Sequence, residues 1–363
     1  MKIDLNKVDT ENFILRPVMI AGEECTLIFP NHIGCKWTKQ NLHFRSSIWN
    51  SKGELISASF KKFFNWGEQP DLCYTPFSLT ANGGCQILEK LDGSTLIVSK
   101  YKGELIVRTR GTADASIMEN AHELELLKAK YPKAFDFEGE TSDVSRIFEW
   151  ESPENRIVLK HDEADIKLTG VIYHGDYTMA SQTELDIFAE LLEVPRPRWY
   201  EFDSIKEMQA AVEAFKGVEG VCVYCNKGQD IRKLKGVEYL KLHHLKSELA
   251  SFEKLLDLYL ELGCPGYNGF FKYIEDAFDY EIADHKRGDI SKLCDLDKHV
   301  KNVVQGMEKF VDKVKTLPTR KDQALYIQQA YGDSGRTGMV FSLLDDKPLD
   351  KVALKKLFYQ KIK

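Results

Sequence analysis

A lysine, Lys90, stands in the short segment EKLDGS, where a carboxylate and a glycine follow at positions 92 and 93. A lysine amine acts as a nucleophile only when it is neutral, and the pKa of a free lysine is near ~10.4. Neighbouring cations would lower that pKa, because they penalise the ammonium form. Taken alone, the segment is explained equally well as a solvated hairpin turn. The chemical interpretation therefore depends on the residues that accompany Lys90.

Charged residues flank this lysine at positions that strands could bring together. Lys233 and Lys235 are two apart on a predicted strand, so both side chains point to one face while Leu234 points to the core. If they converge with Arg110 on Lys90, they would lower its pKa. A strand with one solvated face has the same alternation, so that interpretation stays open. The other basic candidates are Arg45 and Lys62 before Lys90, and Arg108 and Arg110 after it.

Two glutamates, Glu149 and Glu219, stand in the apolar surroundings IFEW and GVEGVCV. A buried carboxylate without a partner is costly, so each one requires a cation nearby. A functional cleft would supply such a partner, and a buried salt bridge is the structural alternative. Phe64 and Trp66 lie close to Lys62 and are either stacking rings or core residues. Core packing is expected for at least one of the two.

The elements that must position these residues change in kind along the chain. From about residue 24 to 245 the pattern is mostly short alternating strands with glycine-containing turns, which favours antiparallel pairing. The segment 194–203 contains two prolines and is predicted to be a connector. After about residue 246 apolar residues recur at helical spacing. We therefore predict an α+β domain over 1–245 and an all-helical domain over 246–363. Within the first domain, helical patterns occur at 114–130, 182–193 and 204–216.

Composition restricts the class of protein. The chain has 363 residues, a formal net charge of −6 and a pI of about 5.9, yet its last thirteen residues contain five lysines and no acid. The balance permits a phosphate-rich partner. The closest cysteine pair, Cys222 and Cys225, lies on a predicted strand with the sulfurs on opposite faces, so we expect core roles rather than a shared metal. No apolar run reaches the ~20 residues of a membrane span, and no secretory signal begins the chain. We expect a cytoplasmic protein, or one of the host cytoplasm if the source is viral.

Three stretches, FKKFFNWGE, EKLDGS and FEWESPENRIVL, occur in order with the charged residues above. Together they resemble the nucleotidyltransferase motifs of covalent ligases, and most closely those of the phage-type RNA ligase 1 family. The resemblance covers about residues 40–245. DNA ligases and capping enzymes share the KxDG core but commonly continue into a small β-barrel, whereas helices follow here. This difference favours the RNA ligase 1 branch.

The resemblance implies an antiparallel-sheet nucleotidyltransferase domain of the ATP-grasp-like ligase type, followed by a helical C-terminal domain. It implies that Lys90 attacks ATP to form a lysyl-AMP adduct, with Mg²⁺ or Mn²⁺ present. AMP then passes to a 5′-phosphate on RNA, and a 3′-hydroxyl displaces it. The catalytic residues implied are Lys90, Lys233, Lys235, Arg45 and Lys62. Nucleotide contacts are implied for these and for Glu89, Asp92, Gly93, Phe64, Arg110, Glu149 and Glu219, with Glu219 and Asp92 at the metal.

The partner implied is RNA with 5′-phosphate and 3′-hydroxyl ends. Helical tails in this family are linked with broken tRNA, which makes cleaved tRNA one candidate substrate, while a protein-contact role for this tail stays open as the alternative. We expect a monomer. Asp92 has a second interpretation, in which its carboxylate orients the loop after Lys90. Alternatives to RNA ligation are a DNA ligase, an RNA-capping guanylyltransferase, or an RNA-binding relative without catalysis.

Overall fold

The computed structural model describes residues 1–31, 34–72, 84–139, 143–277 and 280–362. Contacts divide the chain into two compact units, Met1–Lys241 and Leu242–Lys363. The first is rich in strands and the second is helical. This boundary lies inside a helix, four residues before the one predicted from the sequence. No helix of the described residues is long and apolar enough to cross a membrane.

The first unit contains three sheets. Their strands are β1 Phe13–Ile20, β2 Glu23–Pro30, β3 Ser47–Trp49, β4 Leu55–Ala58, β5 Phe64–Asn65, β6 Gln86–Lys90, β7 Ser94–Tyr101, β8 Glu104–Thr109, β9 Val144–Glu151, β10 Asp165–Tyr173, β11 Trp199–Tyr200, β12 Gly220–Cys225 and β13 Asp230–Lys235. The strand orders are β1-β2-β3-β4, β10-β9-β7-β8 and β11-β6-β12-β13-β5. Pairing is antiparallel, as predicted, except that β5 runs parallel to β13.

Helices follow the predicted pattern in most places. They are α1 His122–Lys130, α2 Gln182–Leu192, α3 Ile205–Glu213, α4 Val237–Glu248, α5 Phe252–Glu261, α6 Gly266–Ala277, α7 Tyr280–His285, α8 Arg287–Lys315, α9 Arg320–Tyr331, α10 Thr337–Leu344 and α11 Lys351–Ile362. Ser181 and Ser204 cap α2 and α3 with their side chains, which fixes where these helices begin. The predicted helix at 114–130 is wrong in its first half, because Asp114 caps only a single 3-10 turn and the chain is extended again at Met118.

The third sheet, β11-β6-β12-β13-β5, lies between two hydrophobic clusters. One face carries Ile87, Val221 and Val223, which pack against α3. The other face carries Leu88 and Cys222, which pack towards residues of the first two sheets. Because side chains alternate along a strand, the sequence pattern of each strand decides which residues reach each cluster. In the second unit, the apolar faces of the helices form one core.

A disulfide joins Cys85 to Cys225, with their Cα atoms 4.3 Å apart. Spacing did not predict this pair, because 140 residues separate the two cysteines. The register of β6 and β12 brings them opposite each other, next to the pairing of Gln86 with Tyr224. Cys222 and Cys225 belong to the clusters on opposite faces of the sheet, so their sulfurs are separated as expected.

Candidate active site

Lys90 ends β6 and lies in one row with residues of the two neighbouring strands. Gly220 of β12 pairs with Lys90 on one side and with Lys235 of β13 on the other. A side chain at Gly220 would clash, since a Cβ there would lie 2.0 Å from the carbonyl oxygen of Leu234, and its φ of +152° favours glycine. The close approach of these strands therefore brings two lysines to one place. From the sequence alone, Lys235 could also have been a solvent-exposed residue of its strand.

Glu219, just before β12, forms ion pairs with both lysines. The Nζ atoms of Lys90 and Lys235 each lie 2.9 Å from a different carboxylate oxygen of Glu219. The Glu219 side chain is only 3% exposed, so the carboxylate is buried between two ammonium groups. Each carboxylate oxygen therefore has a cationic partner, which explains how an acid can be buried next to the apolar strand β12. Glu219 thus has the cationic partners that its sequence context required.

The pKa of Lys90 is raised above its ordinary value, which corrects the expectation that cations lower it. Burial alone would lower the pKa, but the carboxylates of Glu219 and Glu149 outweigh burial. The pKa of Lys233, in contrast, falls to about 8, because Lys233 is buried close to Arg45 and the other lysines. In the free protein Lys90 is therefore held as an ammonium ion, and it must lose that proton before it can act as a nucleophile.

Basic residues from separate segments converge beside these lysines. Arg45 ends a 3-10 turn, and its guanidinium carbon lies 4.6 Å from the centroid of the Phe63 ring. Burial and then the charge of Arg110 lower the pKa of Arg45 to about 10. Burial and then Arg45 also lower the pKa of Lys62. Cations that depress each other's pKa values form a site suited to a polyanion such as a polyphosphate.

Phe63 was not singled out from the sequence, although it stands inside the FKKFFNWGE stretch. Its ring contacts Arg45, and the Nζ of Lys233 lies 5.8 Å from the same ring centroid. Phe64, which was predicted at the nucleotide, is instead 4% exposed with the Nζ of Lys62 5.1 Å from its ring centroid. Phe63 therefore packs against Arg45 and Lys233, whereas the buried Phe64 packs against Lys62.

Glu149 on β9 lies close enough to Lys90 and Glu219 to interact with both charges. Burial raises the pKa of Glu149 to about 7, although Lys90 and a hydrogen bond from the backbone N–H of Gly93 oppose the rise. A Cβ on Gly93 would lie 2.4 Å from the carbonyl oxygen of Trp150. Gly93 therefore allows the loop after Lys90 to approach β9, a reason other than the expected approach to a nucleotide.

Asp92 holds the loop after Lys90 in place. One carboxylate oxygen accepts hydrogen bonds from the backbone N–H groups of Val158 at 2.8 Å and Leu159 at 2.5 Å. The other accepts from the hydroxyl of Tyr239 at 2.6 Å. Asp92 is 2% exposed, so three protein donors occupy it. This favours its loop-orienting interpretation over metal binding, and explains why the NRIV stretch accompanies EKLDGS.

Tyr239 is a residue of this site that the sequence patterns did not reveal. It lies in α4, and its ring centroid is 4.9 Å from the Nζ of Lys235. The spacing of four residues after Lys235 was the only available indication.

Glu89 was predicted to contact the nucleotide, but its side chain leaves β6 on the face opposite Lys90. Its charged neighbours are Lys167, Glu151 and Arg198.

Residues 43–273 match the family model described as RNA ligase. The match covers more than half of the chain and includes every residue of the site described above. The chain belongs to the RNA ligase family. The resemblance inferred from the sequence motifs is thereby confirmed.

Relatives of this RNA ligase include viral proteins. It is 27% identical over 329 residues to an RNA ligase of Rhodothermus phage RM378, covering 70% of this chain and 72% of the phage protein. It is 25% identical over 296 residues to a putative bifunctional polynucleotide kinase/RNA ligase of Autographa californica nuclear polyhedrosis virus. That match covers 76% of this chain and 41% of the viral protein, so the ligase spans less than half of that relative.

Solved structures with a partly similar fold include RNA ligases from other organisms. An archaeal ATP-dependent RNA ligase has a TM-score of 0.47 at 11% identity, covering 80% of this chain and 76% of the other. A Naegleria gruberi RNA ligase with PPi has a TM-score of 0.38 at 14% identity, covering 44% and 51%.

The carboxylates of the site already have partners within the protein. No group of three or more histidine, cysteine, aspartate or glutamate side chains in the described part of the chain is arranged to hold an ion. Asp92 is occupied by protein donors, and Glu219 is held by two lysines. Mg²⁺ commonly binds one or two carboxylates together with substrate phosphates. The described residues therefore form no cluster of metal ligands of their own, and an ion that arrives with a polyphosphate would take most of its ligands from the phosphates and water.

The raised pKa of Glu149 predicts a pH-dependent effect on stability. Its pKa is about 7 in the folded ligase and has the ordinary value of 4.5 in the unfolded chain. Between these values the folded state binds more protons, so stability from this group is lost as pH rises through about 7. Glu149→Gln should therefore gain free energy of unfolding relative to wild type, by about 2 kcal/mol at pH ~8 and little at pH ~4. Urea unfolding at both pH values measures this, and an equal difference at both would contradict it.

Proposed function

We propose that this RNA ligase is ATP-dependent and that Lys90 becomes covalently linked to AMP. The observation that carries the proposal is the buried Lys90–Glu219–Lys235 group, with both Nζ–oxygen distances at 2.9 Å. A lysine held in a cleft of converging cations is suited to attack a phosphate, because the phosphate charge is stabilised where the bond forms. The family membership supports RNA as the substrate.

In the first step the neutral amine of Lys90 attacks the α-phosphorus of ATP. A nitrogen–phosphorus bond forms, the bond from the α-phosphorus to the oxygen that bridges to the β-phosphate breaks, and pyrophosphate leaves, while the nitrogen releases one proton to solvent. Arg45, Lys62 and Lys233 are close enough to affect one another's charge and would neutralise charge on the triphosphate and on the departing pyrophosphate. We include Arg110 in this group, because its charge acts on both Arg45 and Lys62. Glu149 would contact the ribose of ATP.

Before this attack the ammonium group of Lys90 must release one proton, which passes to solvent. In the free protein Glu219 stabilises the ammonium form of Lys90. We propose that Glu219 turns to the divalent cation that accompanies ATP, which would weaken its ion pair with Lys90. The cation would also neutralise phosphate charge as a Lewis acid. Lys235 keeps the same register position throughout and continues to add positive charge next to Lys90.

In the second step a 5′-phosphate of RNA attacks the AMP phosphorus, and the bond to Lys90 breaks to give a 5′-to-5′ pyrophosphate. In the third step a 3′-hydroxyl attacks the RNA phosphate of that anhydride, AMP leaves, and the hydroxyl proton passes to solvent. We propose cleaved tRNA as the natural substrate, a monomer as the active form and the cytoplasm as its location. Sealing of nicked tRNA anticodon loops, sedimentation of the purified chain and cell fractionation test these three parts.

We expect the purified protein, incubated with ATP and Mg²⁺, to gain the mass of one AMP. Digestion should locate that mass to the peptide containing Lys90, because this lysine ends β6 within the EKLDGS segment and is paired with the buried Glu219. Inorganic pyrophosphate should reverse the gain, since the first step is a group exchange. GTP in place of ATP serves as the control for a capping enzyme. Modification by GTP but not ATP, or at a different lysine, would contradict the proposal.

A further inference from the structure

Arg108 is a fully buried cation whose partners are hydroxyl and carbonyl groups. Its Nε donates to the Ser57 hydroxyl at 2.8 Å, and its Nη1 donates to the Ser46 hydroxyl at 2.6 Å. Its Nη2 reaches the Ser46 carbonyl oxygen at 3.3 Å. In the described part of the chain no carboxylate forms an ion pair with it, and burial lowers its pKa to about 9. Burying a guanidinium without an acid is costly, so its hydrogen bonds must serve a specific arrangement.

Ser46 connects the two segments that carry the arginines of the active site. It follows Arg45 directly in the chain. Its hydroxyl accepts from Arg108 and donates to the carbonyl oxygen of Arg110 at 2.7 Å. One buried hydroxyl therefore links the backbone beside Arg45 to the backbone of Arg110. Arg108 holds that hydroxyl and the Ser46 carbonyl together, so the link has a defined geometry.

This link acts against a repulsion. The charge of Arg110 is the second largest cause of the lowered pKa of Arg45, after burial. Because the two charges have the same sign, their repulsion favours separation of the segments that carry Arg45 and Arg110. Cations that are held in place before a phosphate arrives need no reorganisation on binding, which is how preorganised charge increases affinity.

We propose that Ser46 and Arg108 are positioning residues that set the spacing of Arg45 and Arg110 and so determine the affinity for the phosphates of ATP. The inference rests on the proposed function, in which these two arginines bind the triphosphate. The side chains of Ser46 and Arg108 are both fully buried. Both act through the backbone of the arginine segments.

Ser57 provides a matched control. It is also fully buried, and its hydroxyl also has two partners, Arg108 at 2.8 Å and Ser99 at 2.8 Å. From Ser99 the hydroxyl series continues to Ser145 at 2.9 Å, away from the arginine segments. Ser57→Ala thus removes a hydroxyl of the same kind from the same guanidinium without breaking the link to Arg110.

The test is a single-turnover measurement of AMP transfer to the protein over a range of ATP concentrations, together with thermal melting. Ser46→Ala should raise the KM for ATP about tenfold with the maximal rate nearly unchanged, because ground-state phosphate binding is weakened. Ser57→Ala should lower the melting temperature about as much as Ser46→Ala does, because each variant loses one buried hydroxyl. It should nevertheless leave the KM for ATP within about twofold of wild type. Equal KM changes in the two variants, or no change in either, would overturn the proposal.

Two further variants guard against misfolding. Ser46→Cys keeps a similar side-chain volume but forms weaker hydrogen bonds. Arg108→Lys keeps the positive charge but loses the planar guanidinium that donates to several acceptors at once. Both variants should raise the KM for ATP as Ser46→Ala does. In an Arg45→Ala background, Ser46→Ala should have a smaller effect on the KM than it has alone. Full independence of the two substitutions would contradict the inference.

If wild type takes up no AMP at all, the proposed function fails. If wild type reacts and the Ser46 variants keep a normal KM for ATP, only the positioning inference fails.

Discussion

Replacing Lys90 with arginine is expected to abolish covalent labelling by ATP that carries a labelled α-phosphate. Arginine keeps the positive charge next to Glu219, but a guanidinium stays protonated and is not a nucleophile. The buried ion pair is therefore kept while the reactive group is lost. Lys100→Ala is the control, because Lys100 is an exposed lysine on β7 of the same unit. Labelling is measured on the denatured protein, and a labelled Lys90→Arg variant would exclude Lys90 as the attachment site.

A second variant at the same position, Lys90→Ala, separates the steps of the reaction. Lys90→Ala should still join an RNA that already carries a 5′-adenylate to a 3′-hydroxyl end, although it cannot use ATP. In that last step the bond that breaks is the RNA–AMP anhydride, and no bond to Lys90 forms. Gel analysis of RNA products with and without ATP measures this. Failure of a folded Lys90→Ala variant to seal adenylated RNA, while wild type seals it, would place Lys90 in a second role.

Removing the carboxylate of Asp92 is expected to have the second largest effect. Asp92→Ala removes the acceptor of three hydrogen bonds, those donated by the N–H groups of Val158 and Leu159 and by the hydroxyl of Tyr239. We expect the free energy of unfolding to fall by about 3 kcal/mol and the rate of AMP transfer to fall about 100-fold, because the loop after Lys90 is released. Urea unfolding and single-turnover labelling measure the two effects.

Conservative variants decide between the two roles of Asp92. In Asp92→Asn the amide oxygen can still accept from both N–H groups, and the amide nitrogen can donate to Tyr239. A positioning role therefore predicts that asparagine retains most of the stability and activity. Loss of a metal ligand predicts a stable but inactive variant. Tyr239→Phe removes one of the three bonds and should lower stability by about 1 kcal/mol.

The local patterns of the sequence determined much of this protein. The alternation in IRKLKG correctly gave Lys233 and Lys235 one face with Leu234 on the other, because side-chain direction on a strand depends only on parity. The same rule separated Cys222 from Cys225. Serine caps fixed the starts of α2 and α3. Motifs in fixed order identified the RNA ligase family, since only their joint occurrence is specific.

Only the tertiary structure decided which groups face each other across segments distant in the chain. The rise in the pKa of Lys90 depends on Glu219, which lies 129 residues away and reaches it because Gly220 permits close strand packing. The Cys85–Cys225 disulfide and the bond from Tyr239 to Asp92 are likewise set by register and packing. The link between Arg45 and Arg110 through Ser46 has the same origin. Sequence fixes the direction of a side chain relative to its own strand, whereas electrostatics and hydrogen bonding depend on distances between strands, and these exist only after folding.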